Sequence, residues 1–245
     1  MLNSKIYKKI KNKDINDIFK YINNKFKRSY FSKMHIRGYT DATVDKILWV
    51  NPDDIVFETN SSIYYSSLNK RGVIFSGKWD LNLNKFTERI PYRSLKKHFV
   101  DGIIWEQTEY YKLRVRGEYG TLKRKEKIDQ YFFLIDKLYE NIQKKGYKLS
   151  KNVASETKES WLSSPGEIKI NLGRYGGLIW HFEGQHRLSI AKILGLKRVP
   201  VKVLARHKKW QDIRDNIKYA SNLSRKKKLR KYLEHPDLLD LYKFI

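Results

Sequence analysis

Apolar positions along this chain change period several times, and each change predicts an element. Ile6, Ile10, Ile15, Ile18, Phe19 and Ile22 recur at helical spacing and predict one or two amphipathic helices through about residue 27. Residues 46–50 (KILWV) and 54–58 (DIVFE) are short apolar runs on either side of Asn51-Pro52-Asp53, a turn sequence. Val73-Ile74-Phe75 is a third short run, ending at Ser76-Gly77. Helical patterning follows over residues 92–100 and 105–113, around a break at Asp101-Gly102. The most regular helix covers residues 125–145, where Ile128, Tyr131, Phe132, Ile135, Leu138, Tyr139 and Ile142 keep the i, i+3, i+4, i+7 spacing of a core-facing stripe. Gly146 supplies its stop.

A polar stretch over residues 150–160 reads as a loop, after which the period shortens to two. In residues 167–172 (EIKINL) apolar and polar positions alternate, predicting a half-buried strand. Residues 173–177 form a glycine-rich turn, and residues 178–182 return as the second strand of a hairpin. Residues 185–194 predict a helix closed by Gly195, with Leu188, Ala191 and Leu194 inward. Val199, Val201 and Val203 alternate with Pro200 and Lys202 in a further strand, where Pro200 is early enough to be tolerated. From His207 onward the pattern reads as two or three basic helices. The expected class is α+β: a small mixed sheet with flanking helices and helical extensions at both ends. The expected divisions are an extension over 1–45, a core over 46–205 interrupted by a helical insertion at about 91–146, and basic C-terminal helices over 206–245.

The 245 residues suffice to bury a core without covalent staples. There is no cysteine, which removes disulfides, thiolate metal sites and thiol nucleophiles, and fits a reducing compartment. No apolar run reaches the ~18 residues of a membrane span. The N-terminal stretch is basic and amphipathic but lacks an apolar signal core, so the expected location is the cytoplasm and no membrane partner is expected. The formal charge of +26 attracts polyanions. Lysines run along the whole chain, with one dense cluster at Arg225, Lys226, Lys227, Lys228 and Arg230, a candidate DNA or RNA contact and equally a solvated helix face.

The segment with chemical content is Phe182-Glu183-Gly184-Gln185-His186-Arg187, at a predicted strand-to-helix corner. A helix N-terminus offers free amides and partial positive charge, Gly184 permits a sharp turn and close approach, and Arg187 offers a planar donor. Together they predict an anion cradle built from Glu183, Gly184, Gln185, His186 and Arg187. His186 has a second reading as a backbone-bonded residue near a helix start. With no HxH, no HExxH and no cysteine, no zinc site built by the protein alone is expected.

The run Gly184-Gln-His-Arg-Leu-Ser-Ile-Ala-Lys-Ile-Leu-Gly-Leu-Lys-Arg-Val-Pro-Val-Lys-Val203 resembles the ParB/sulfiredoxin-like superfamily, in which Gly-x-x-Arg at a helix start is followed by a Gly-Leu turn and a Val-Pro-Val strand. The resemblance implies ATP or CTP bound with Mg²⁺, and phosphate contacts from Gly184, His186 and Arg187. Gln185 stands where sulfiredoxins place their nucleophilic cysteine, so that chemistry is excluded. Too little chain follows Val203 for the helix-turn-helix reader and dimerisation segment of partition proteins. ParB-related small-molecule kinases remain compatible, and phosphoryl transfer would need a carboxylate near the acceptor. The candidates are Asp53, Asp54, Glu58 and Asp80; Glu58, Asp80 and His186 form the catalytic expectation. Alternatives are a nucleic-acid-binding or nuclease-like module, and a noncatalytic scaffold. Trp79 is either a base-stacking ring or a partly buried core residue.

Overall fold

The two central strands of this protein alternate apolar with polar residues in sequence yet are buried along most of their length. The computed structural model describes residues 36–43, 46–59, 72–121, 124–149, 167–219, 229–232 and 234–244. The helices expected through residue 27, the loop expected at 150–160 and the Arg225–Lys228 part of the basic cluster lie outside the described residues. The strands are β1 (Ile36–Tyr39), β2 (Ile47–Val50), β3 (Phe57–Glu58), β4 (Val73–Phe75), β5 (Ile168–Leu172), β6 (Leu178–Trp180) and β7 (Val199–His207). The α-helices are α1 (Ile90–Phe99), α2 (Glu109–Val115), α3 (Lys125–Lys145), α4 (Gln185–Ile193) and α5 (Lys208–Lys218). The class is α+β with a seven-stranded mixed sheet. Among the described residues no helix is long and apolar enough to cross a membrane.

The sheet is organised around β7. Its order is β1-β4-β7-β5-β6-β3, with β2 also paired to β7. β2 runs antiparallel to Val199–Lys202, while β4 runs parallel to Ala205–His207 along the remainder of that edge. β5 lies parallel on the other edge, joined to β7 through β6 and α4, the crossover a parallel pair requires. A strand flanked and covered in this way is buried on both faces. β5 is therefore almost wholly interior, including Asn171, whose amide donates to Thr59 Oγ1 at 2.9 Å. The half-buried alternation expected for residues 167–172 gives way to this central placement.

Local chemistry explains two further departures. Residues 54–58 form only a two-residue strand, because Asn51 caps a 3₁₀ turn over Pro52–Asp54 by accepting from Asp53 N. The helix expected over 105–113 divides at Thr108, which caps α2 by accepting from Tyr111 N and separates it from a 3₁₀ turn at Trp105–Gln107. By contrast α3 has the predicted bounds, buries Ile128, Phe132, Ile135, Leu138 and Ile142, and stops at Gly146 with φ of 69°.

Three apolar clusters hold these layers. One fills the sheet and includes Ile168, Ile170, Trp180, Leu188, Val201 and Trp210. A second joins α1, α2 and α3 and reaches Ile190 of α4. A third, Val73, Phe75, Trp79, Ile179 and Ala205, makes Trp79 a core residue at 4% exposure rather than a stacking platform. α4 is gripped by the first two clusters, so residues 187–191 are all buried.

The boundary expected at residue 206 falls inside β7, which continues to His207. Beyond it, Trp210, Ile217, Leu238 and Leu241 complete the sheet's own core. Buried Asp237 accepts from Arg206 Nε at 2.9 Å and Trp210 Nε1 at 3.0 Å, and Arg214 donates to its carbonyl. Trp210, Ile217, Leu238 and Leu241 therefore pack as part of the same core as the sheet.

Candidate functional site

β6 ends at Trp180, and the chain then turns into α4 through unusual backbone. Phe182 has φ of 40° and Gly184 has φ of 72°, both left-handed. Trp180 Nε1 holds the turn by donating to Glu183 O at 2.8 Å, and the Glu183 carboxylate pairs with Lys169. Gly184 is obligatory for space as well as conformation: a Cβ there would lie 2.8 Å from Ile168 Cα and 3.0 Å from its N, both backbone atoms. No side chain caps α4. The strand-to-helix corner expected from the sequence is present.

The cations beside it are different from the expected one. Arg187 is 8% exposed and its guanidinium lies 5.7 Å from the Tyr147 ring. The Tyr147 phenol is shifted upward by burial, against the neighbouring Arg187 and with Glu167, so Arg187 faces Tyr147. The side of the corner facing the helical layer is served by Arg89 and Arg114. Arg89, at the start of α1, stacks over Trp180 at 4.6 Å and Phe182 at 5.9 Å. It pairs with Glu58 of β3 and donates to Gln185 Oε1 and Tyr119 Oη, each at 3.4 Å. Arg114 of α2 donates to the Tyr110 and Tyr131 hydroxyls at 2.9 and 3.0 Å.

His186 sits between these groups as a neutral acceptor. Its Nε2 faces the Tyr131 hydroxyl at 3.1 Å, the Tyr110 hydroxyl at 3.3 Å and the Gln185 amide nitrogen at 3.3 Å, all of which can donate. Burial first, then Arg114 and Arg89, push its pKa down to about 3. It is therefore not a cation at neutral pH. Tyr110 and Tyr131 are raised by burial and remain protonated donors. His181 is fully buried and lowered to about 4 by desolvation.

The candidate carboxylates separate. Glu58 is at the corner through its pair with Arg89. Asp80 accepts from Arg174 Nε at 2.9 Å and Nη2 at 2.7 Å and from Arg174 N at 2.7 Å, and is buried against Gly173. Gly173 lies just past the opposite end of β5 from Ile168, about 16 Å along the strand at roughly 3.3 Å per residue. Asp80 thus braces the hairpin turn and does not join Glu58 and His186. Asp53 pairs at 3.6 Å with Lys192, at the far end of α4. Arg230 begins a 3₁₀ turn, Arg230–Tyr232. Among the described residues no cluster of three or more His, Asp or Glu could hold a metal.

Tyr110, Tyr119, Tyr131, Arg89 and Arg114 escaped the sequence pattern. Tyr110 and Arg114 are an i, i+4 pair on one helical face, but which neighbour that face meets is a tertiary matter. No protein-family model matches the chain, and no curated protein or solved structure is significantly similar to it.

Proposed function

We propose that the corner at Gly184 binds a nucleotide, ATP or CTP, through its phosphates. The observation that carries the proposal is a helix N-terminus with no side-chain cap among the described residues, whose N-cap Gly184 admits no Cβ, with the Arg89 guanidinium against Gln185. Such an end attracts anions through its amides and dipole, and a guanidinium adds charge-assisted hydrogen bonds. The likeness of residues 184–203 to ParB/sulfiredoxin-like proteins supports the same ligand class. Glu58, paired with Arg89 in the free protein, would have to exchange that partner for a Mg²⁺ ion arriving with the phosphates, since the described residues offer no metal cage. Hydrolysis or phosphoryl transfer would draw on Glu58 rather than Asp80. The charge of +26 favours a second reading, in which the corner grips a nucleic-acid backbone phosphate.

Calorimetric titration with ATP and CTP, with and without Mg²⁺, tests this directly. An Arg89→Gln/Glu58→Gln double variant removes both charges without orphaning either, and it is expected to weaken binding about tenfold or more, the scale of a lost charge-assisted contact. Unchanged affinity would reject the corner. Competition by a short DNA or RNA duplex, stronger than by free nucleotide, would favour the second reading.

A further inference from the structure

Among the described residues, Arg114 is a buried guanidinium without a countercharge. The residue is 7% exposed. Among the described residues its hydrogen-bond partners are two neutral hydroxyls, those of Tyr110 and Tyr131, and its Nε has no partner. Three rings surround it, Tyr131 at 4.0 Å, Tyr110 at 4.9 Å and Tyr119 at 5.8 Å from the guanidinium carbon. Cation–π contacts and neutral hydrogen bonds recover only part of the cost of taking a guanidinium out of water, and natural proteins ordinarily neutralise such a group with a carboxylate. Here the nearby acid, Glu58, is already committed to Arg89.

The other described groups bonded to or stacked on Arg114 are neutral. His186 accepts through Nε2 and holds no charge at neutral pH. Tyr110 and Tyr131 hydroxyls bond to each other at 2.7 Å and can both rotate their protons toward an incoming oxygen. Tyr119 connects the two cations, receiving Arg89 at its hydroxyl and lying beside Arg114 with its ring. Gly120 lets the loop after α2 close on the guanidinium, since a Cβ there would fall 2.8 Å from Nη1.

We infer that Arg114, Tyr110, Tyr119 and Tyr131 form a second oxyanion subsite beside the Gly184 corner, so that the ligand carries two linked anionic groups, one for each guanidinium. This rests on the anion-binding reading of the corner and extends it: the helical layer, not the sheet, selects for the second anion. The smallest ligand of that chemistry is a diphosphate.

Titration of the full chain with inorganic orthophosphate and pyrophosphate tests the subsite. Wild-type protein is expected to prefer pyrophosphate by about tenfold, and Arg114→Met to collapse that ratio to about twofold or less. Tyr131→Phe, which keeps the ring and removes one donor, should reduce the ratio in part. Ligand-free thermal unfolding separates a binding role from a structural one. Without its uncompensated cation, Arg114→Met should melt at or above the wild-type temperature, whereas a structural arginine would lower it. Equal wild-type affinity for the two anions, or a ratio insensitive to Arg114→Met, overturns the second subsite while leaving the corner standing. Binding of neither anion overturns the corner itself, and this inference with it.

Discussion

Mild acid should destabilise this protein through its buried histidines. His186 is held neutral to about pH 3 and His181 to about pH 4, against 6.5 for an exposed imidazole. Both are bases with depressed folded-state values, so below 6.5 the unfolded chain takes up protons that the folded chain refuses. Their contribution is complete above 6.5 and declines as pH falls from there toward 4 and 3. Each histidine costs about 1.4 kcal/mol per pH unit in that window. At pH 5.0 the pair therefore removes about 4 kcal/mol, a large share of the roughly 5–15 kcal/mol that holds a typical domain. His235, also lowered by burial, acts in the same direction. Carboxylates act elsewhere: Asp41 is lowered from 3.8 to about 2 by Arg214, Gln211 and Lys218 against desolvation, so its contribution is lost only as pH falls below 3.8. Urea unfolding at pH 7.5, 6.5, 5.5 and 5.0, followed by the fluorescence of buried Trp180 and Trp210, measures the slope. His186→Gln keeps an acceptor for the tyrosines and should reduce the slope by about one histidine's share, ~1.4 kcal/mol per pH unit. Equal stability at pH 7.5 and 5.5, or a slope untouched by His186→Gln, would refute the burial of these imidazoles as neutral groups.

Two substitutions probe the corner and the closure of the sheet. Gly184→Ala meets Ile168 backbone at 2.8 Å with φ of 72° and should cost about 2–4 kcal/mol in urea unfolding and weaken nucleotide binding. The control Gly102→Ala has nearly the same φ, 71°, but nothing within 4 Å, and should cost only about 1 kcal/mol. Asp237→Asn weakens the anchor shared by buried Arg206 and Arg214 and should destabilise by about 3 kcal/mol or more, measured by the same unfolding assay, because it strands buried cations.

Element by element, local periodicity carried much of the fold. The stripe from Ile128 to Ile142 placed α3 with its observed bounds, and the corner at Gly184 lies between a strand and a helix as the residues around it implied. Alternation misled where burial is two-sided: Lys169 and Asn171 look solvent-facing in sequence, yet β5 is enclosed by β6 and β7. The same limit applies to the site. Gln185, His186 and Arg187 are adjacent in sequence, but successive helical residues point about 100° apart. His186 therefore meets the tyrosines of α2 and α3, while Arg187 meets Tyr147.

Short-range steric and hydrogen-bonding rules are written into neighbouring residues, which is why the helix start at Gly184, the stop at Gly146 and the strand at 199–203 were readable from the chain alone. Charge compensation is a long-range property. Arg89 finds Glu58 across 31 positions, Asp80 is consumed by Arg174 across 94, and Arg114 is left among tyrosines. Which cations meet a carboxylate and which are left among neutral groups depends on distances that appear only when α1, α2 and α3 pack against α4.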